Sequence, residues 1–342
     1  MTMNNEPLVS VLTPVYNGDR FLGECIESVL KQRYTNYEYI ILNNCSTDNT
    51  YDIAVAYAQQ DRRIRVHNND TFLAVIDNHN LAFSLISQGA KYCKVVSADD
   101  FIFPDCLRQM VQCGEANPSV GIVGSYQLSG NYIKWQGYHY PQAVFAGPEL
   151  CRHMFLLRQE YVRGEGVFGL GSPSSLLYRT DLIRESGGQF YPNASPHADI
   201  SACFKCLHKC DFGFVYQVLS YERTHEATQT SASKKINRYL SATLNDLIQY
   251  GPLYLEKTEL EVKIKEYLDV YYQLLATNYF IGHRGKEFWN YHKGRLEELG
   301  YPFSRAMLLK GVARKLGAEV VSPGRAIRKV WSRVLRNPKN GS

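Results

Sequence analysis

Residues 8–50 read LVSVLTPVYNGDRFLGECIESVLKQRYTNYEYIILNNCSTDNT, and the alternation inside them decides the fold. An apolar run, LVSVLTPVY (8–16), stops in turn residues. FLGECIESVLKQ (21–32) follows, with Phe21, Leu22, Cys25, Ile26, Val29 and Leu30 at helical spacing. YEYIIL (37–42) is a second apolar run leading into LNNCSTDN (42–49), and TYDIAVAYAQQ (50–60) reads as a second helix. Working outward, IRVHNN (64–69) as a strand, FLAVIDNHNLAFSLI (72–86) as a helix and CKVVSADD (93–100) as a strand repeat the unit. Repeated strand–helix units predict a doubly wound, mostly parallel α/β sheet flanked by helices, whose ligands lie beyond the carboxyl ends of the strands. Those ends read TPVYN, NNCSTD, HNND and SADD, all polar.

The regular alternation fades after Pro118. VGIVGSYQL (120–128), SSLLYRT (174–180) and FGFVYQVLSYERT (212–224) read as strands, with PELCRHMFLL (148–157) and DISACFKCLHK (199–209) as helices. From about Ser233 the pattern is helical almost to the end. The expected organisation is a catalytic domain over 1–232, split near 118 into two halves, followed by a helical C-terminal region over 233–342.

The 342 residues, 45% hydrophobic and 21% charged, suit a protein with a sizeable core. No apolar run reaches the roughly 18 residues of a membrane span. Nine scattered cysteines, with no basic and apolar leader, predict reduced thiols and a cytoplasmic location. Cys203, Cys206 and Cys210 share a helix face and read as buried thiols rather than a zinc site. GEGVFG (164–169) matches a dinucleotide fingerprint only literally, since it neither follows a strand nor opens a helix.

SADD carries the clearest chemistry. Adjacent carboxylates repel one another and lose hydration unless a cation joins them, and Mg²⁺ or Mn²⁺ prefers such oxygen ligands. The alternative is that Asp99 or Asp100 caps the helix opening after Phe103-Pro104. In sequence order, P-V-Y-N, the S-V-L-K-Q helix, the S-T-D turn and SADD resemble the family 2 glycosyltransferases over about residues 8–230. The resemblance implies a GT-A fold, a nucleotide-diphosphate sugar donor (a UDP-sugar as the first expectation), a divalent metal and inversion at the anomeric carbon.

Carried over position by position, the resemblance lays Pro14 and Tyr16 along the base and ribose. It sets Asn43 and Asn44 where the family has an aspartate reading the uracil edge, Asp99 at ribose or metal, and Asp100 on the metal. Asn78 matches the asparagine near the donor, but Asp77 precedes it where an arginine is usual. SPHADISACF (195–204) resembles the family's acidic motif and makes Asp199 the candidate general base. The alternatives are that Asp199 supports a helix N-terminus, or that His197 takes the proton. GLGSPSSLLYRTDLI (169–183) resembles the segment lining the acceptor site. YERTHEATQTS (221–231) offers His225, beside Arg223, as third metal ligand, diphosphate contact or plain turn residue.

The tail has its own character. Residues 301–342 hold ten Lys/Arg against Glu319 alone, so the rest of the chain is slightly acidic despite the overall +5. RAIRKVWSRVLR (325–336) places Ile327, Val330, Trp331, Val334 and Leu335 on one side of a basic helix. That is the pattern of a segment on an anionic membrane, at its inner face here; a helix packed on the catalytic domain is the alternative. Nucleic acid is not expected, because interleaved aromatics for base stacking are missing. The function expected is sugar transfer to a glycan or lipid-linked acceptor in surface-polysaccharide assembly. A catalytically weak nucleotide-sugar binding protein, favoured by Asn43, Asn44 and Asp77, is the alternative.

Overall fold

The computed structural model describes residues 6–162, 169–192, 197–224, 236–281 and 285–321. Four parallel strands make its first half: β1 (Leu8–Val15), β2 (Tyr37–Asn43), β3 (Ile64–Asn68) and β4 (Ala90–Val95). Helices α1 (Asp19–Leu30), α2 (Thr50–Gln60) and α3 (Val75–Ser84) connect them. The short β5 (Phe101–Ile102) and α4 (Cys106–Ala116) follow, then β6 (Val120–Ser129), β7 (Tyr132–Lys134), β8 (Val144–Phe145) and α5 (Gly147–Val162). A 3₁₀ turn (Pro173–Ser175) leads into β9 (Leu176–Arg179) and α6 (Thr180–Arg184), and α7 (Ala198–Cys206) precedes the long β10 (Asp211–Glu222). The ten strands among the described residues join one sheet in the order β3-β2-β1-β4-β9-β6-β10-β5, with β7 on β6 and β8 on β10.

The chain winds outward from β1 to β3, then crosses back to place β4 on the other side of β1. The β1/β4 junction is therefore the topological switch point, where an open α/β sheet leaves a crevice. Pro14 widens it. The parallel ladder runs as far as Val96 N–H donating to Leu12 C=O (2.9 Å), and the next bond would need an N–H at Pro14, which has none. Thr13 Oγ1 donates to the Val96 carbonyl instead, at 2.9 Å. The two strands separate there, and the buried carbonyl still has its partner.

Strand alternation sends Val9, Val11 and Ile41 to a core with Leu22, Ile26 and Val29 of α1 and Leu107 and Met110 of α4. Leu12, Ile40 and Leu42 face the opposite core. That second core also takes Phe204 of α7 and, from the C-terminal region, side chains of α8 (Arg238–Tyr250) and α9 (Lys257–Ile281) such as Leu244, Tyr267 and Tyr271. α10 (Lys286–Glu298) and α11 (Arg305–Val321) complete the described helices. The expected boundary at 232 and the expected tail helix over 325–336 lie outside the described residues.

A buried polar contact fastens α8 to α7. Asp246 is fully buried, accepts a hydrogen bond from Ser201 Oγ (2.6 Å) and faces His197 Nδ1 at 3.4 Å. His197 also stacks on Tyr239 of α8, ring planes 9° apart. Removing one member of such a buried set strands the others. Asp246→Ala should lower unfolding stability by about 3 kcal/mol in urea titration; a change within about 0.5 kcal/mol, typical of surface positions, would refute this docking role.

Candidate active site

The segments at the carboxyl ends of β1, β2 and β3 are stitched to one another. Asn17, in the left-handed region at φ 50°, accepts from Thr47 N–H through its side-chain oxygen (2.8 Å) and donates from its own backbone to Ser46 Oγ (2.9 Å). Gly18 N–H donates to Thr50 Oγ1 (2.8 Å), and Asp48 accepts from the backbone of Thr50 (3.0 Å) and of Asp19 (3.2 Å). The S-T-D turn thus anchors the loop that carries Tyr16. Burial works to raise the Asp48 carboxyl, but the Thr50 hydroxyl, which also donates to it, and then these backbone donors hold it below the usual range.

The asparagines face inward. Asn43 and Asn44 are both buried. Asn44 Oδ1 accepts from Leu73 N–H and its Nδ2 donates to Leu73 C=O, both at 2.9 Å. Asn69 Nδ2 bridges Asn44 Oδ1 and Asn78 Oδ1, again at 2.9 Å, and Asn43 Nδ2 donates to Asn68 Oδ1 at 2.6 Å. Asn78 is buried in this network and Asp77 is exposed on the first turn of α3. Of the residues expected along the nucleotide, Pro14 lies buried at the splitting point of β1, and Tyr16 stands exposed at its tip.

The carboxylate pair sits in the loop between β4 and β5. Asp100 is buried; its Oδ2 accepts from Ser174 Oγ (2.6 Å) and its Oδ1 from Arg223 N–H (3.0 Å). Burial first, and then the charge of Asp99, push the Asp100 carboxyl up to about 7. Arg223 Nε donates to the Asp99 carbonyl (2.9 Å), while its guanidinium pairs with Glu24 (2.5 Å) and lies over the Phe21 ring at 4.4 Å. Arg223 therefore ties the end of β10 to α1 across the carboxylates.

Lys94, which the sequence reading missed, is wholly buried beneath this arrangement. Its Nζ donates to the carbonyls of Ser174 (2.5 Å), Leu176 (3.0 Å) and Pro173 (3.4 Å), fixing the turn that presents Ser174 to Asp100. Burial lowers its pKa, which Cys106, Asp100 and Cys93 oppose. A lysine inside the apolar run CKVV is the one signal that could have found it.

Asp199 lies in the first turn of α7, next to His197 at the helix's N-cap. Burial raises its pKa; the neighbouring His197, first-turn backbone N–H groups and Lys134 work against that rise. Lys134 forms an ion pair with Glu222, whose charge in turn adds to the pressure on Asp100. The Lys134–Glu222 pair thus links the surroundings of the two carboxylate centres. Gln127 accepts from Ser172 Oγ (2.9 Å) and Trp135 Nε1 (3.2 Å), holding the 169–175 segment against β6. His225 lies outside the described residues, and among those described no group of three or more His, Cys, Asp or Glu converges to hold a metal.

Comparison with known proteins fits this geometry. Residues 10–186, just over half of the chain, match the family described as Glycosyl transferase family 2. "Glycosyltransferase GlyG" of Streptococcus pneumoniae serotype 4 is 25% identical over 277 residues, covering 78% of this chain and 89% of that protein. The S. aureus TarS 1–349 structure in complex with UDP-GlcNAc superposes with a TM-score of 0.62 at 16% identity, over 89% of each chain. Mannosyltransferase PcManGT from Pyrobaculum calidifontis, in complex with GDP-Man and Mn²⁺, gives a TM-score of 0.54 at 14% identity, over 92% of this chain and 88% of that one. At these identities the two structures bear on the fold alone, which is of the GT-A type. With its own sequence matched across the strands and turns that build the crevice, the chain belongs to glycosyl transferase family 2 and is a glycosyltransferase.

Proposed function

We propose that the protein is an inverting, metal-dependent glycosyltransferase that moves a sugar from a nucleotide-diphosphate sugar to a hydroxyl of a glycan or lipid-linked acceptor in surface-polysaccharide assembly. The observation that carries this reading is Asp100: a buried carboxylate beside Asp99, at the sheet's switch point, with its carboxyl pushed up to about 7. Burial without a cation is costly there, and a hard divalent ion with donor phosphates removes the cost. Two carboxylates are enough on the protein side when substrate phosphates complete the shell, so the residues fit Mg²⁺ or Mn²⁺. Bound, the ion supplies charge neutralisation for the departing nucleoside diphosphate. A UDP-sugar is the first donor to try; TarS is described with UDP-GlcNAc and PcManGT with GDP-Man and Mn²⁺. The basic segment 325–336 would bring the protein to an anionic membrane where a lipid-linked acceptor resides.

The chain's own residues do the rest. Ser174 Oγ and Arg223 N–H fix the Asp100 oxygens, and Arg223 holds the Asp99 backbone. Asp199 takes the proton from the acceptor hydroxyl as its oxygen attacks the anomeric carbon. The nucleoside diphosphate leaves with the bonding pair, and a single displacement inverts the configuration. Placing Asp199 in a partly buried first turn raises its basicity above that of a free aspartate, which makes it the better proton acceptor.

Asp199→Asn should leave donor binding intact and lower kcat by about 10² or more; near-full transfer activity would remove Asp199 from the mechanism. Asp100→Asn should abolish the Mn²⁺ enhancement of nucleotide binding in calorimetry, and an unchanged enhancement would place the metal elsewhere. Because the Asp199 pKa is raised and the base works ionised, kcat/KM should fall as pH drops through that raised value. The acid limb then lies above the ordinary aspartate value of about 4. A limb at or below about 4 would contradict the assignment.

A further inference from the structure

We propose that Phe72 is the second aromatic wall of the nucleobase subsite, and that Asn44 is the residue that positions it. The inference rests on reading the crevice beside Asp99 and Asp100 as the nucleotide site. Tyr16, just beyond β1, is 49% exposed and Phe72, beyond β3, is 59% exposed. Their rings meet edge to face, centroids 4.9 Å apart at 68°. Two large aromatics in the open gain little from each other and leave broad apolar faces in water, where a planar base would cover them. Gly18, two residues after Tyr16, packs against Ala98 of the SADD loop: a Cβ built there would lie 3.6 Å from that of Ala98. The loop that carries Tyr16 therefore runs beside the loop that carries the carboxylates.

Both rings hang on backbone held by one short stretch, residues 44–50. On the Tyr16 side, Ser46, Thr47, Asp48 and Thr50 bind Asn17, Gly18 and Asp19. On the Phe72 side, the Asn44 amide grips both backbone groups of Leu73. Only an amide can do this. An aspartate accepts from Leu73 N–H but sets its second oxygen against the Leu73 carbonyl, where a donor is needed. Asparagine in place of the usual aspartate thus fixes Phe72 instead of reading the base edge. A wall held in place before binding loses less freedom when the ligand arrives.

The test is calorimetry of the full chain with UDP and with GDP, each with Mn²⁺. For whichever nucleotide the unaltered protein binds, Phe72→Ala should weaken binding about tenfold, the scale of one base–aromatic stack. Phe72→Trp should hold it within about threefold, since a larger π face replaces the lost one. Asn44→Asp should also weaken binding, although it installs the residue typical of the family. Equal or tighter binding by Asn44→Asp would mean that position 44 reads the base directly, and the inference would fall. Unchanged binding in Phe72→Ala, with losses in Tyr16→Ala and Asp100→Asn, would overturn the inference and leave the site reading standing. Unchanged binding in all three would overturn both.

Discussion

One buried carboxylate constrains the whole site. Asp100 is inside the protein next to a second acid, so every segment around it is arranged to make that position tolerable. Three stretches far apart in sequence meet on it: its own loop after β4, the turn before β9 through Ser174, and the end of β10 through Arg223. The sheet order explains how they reach it. β9 runs antiparallel between β4 and β6, so the segment just before β9 arrives at the edge where the parallel strands end. Lys94 then locks that segment by its carbonyls, from a β4 position whose side chain the sheet has already buried. A buried ammonium solvated by three carbonyls is expensive to build. Here it sits under the spot where the carboxylates must not drift.

The crevice itself comes from a missing hydrogen-bond donor. Pro14 ends the β1/β4 ladder one bond early, and Thr13 supplies the missing donor to the buried Val96 carbonyl so that the split costs little. Beyond the split, the polar strand tips bind each other rather than solvent. Ser46, Thr47, Asp48 and Asn44 spend their hydrogen bonds on neighbouring backbone, which converts a set of loops into a rigid rim. Polar residues at strand ends in this fold therefore divide into those that hold the rim and those left free to meet a ligand. Residue type alone does not separate the two.

That division sets what the sequence could disclose. The first four strands and their helices follow from apolar period, and α2 begins and ends at the residues the periodicity marks, Thr50 and Gln60. SADD was legible because paired acids after an apolar run have few other uses. The short β7 and β8, three and two residues long, have no period to detect. Position at a strand tip points Asn43 and Asn44 at the ligand, whereas the structure turns both amides inward; that depends on Asn68, Asn69 and Leu73, which no local pattern connects to them. Lys94 was hidden because strand alternation treats any residue in a buried run as packing.

The surroundings of Tyr16 and Phe72 and those of Asp199 are held at different ranges. Around Tyr16 and Phe72 the supporting contacts join residues within the first hundred positions, inside the stretch that matches the family. Asp199 lies beyond that stretch, and so does most of what surrounds it: Lys134, from the β7 hairpin, belongs to the matched residues, while His197, stacked on Tyr239 and facing Asp246 of α8, does not. The helix that carries the candidate base is thus seated on the C-terminal region, through a carboxylate with no exposure to water. Buried charge of this kind punishes misplacement more than it adds stability. Its effect is to make the orientation of α7 depend on α8, so the placement of the candidate base is set by the C-terminal helices as well as by the sheet.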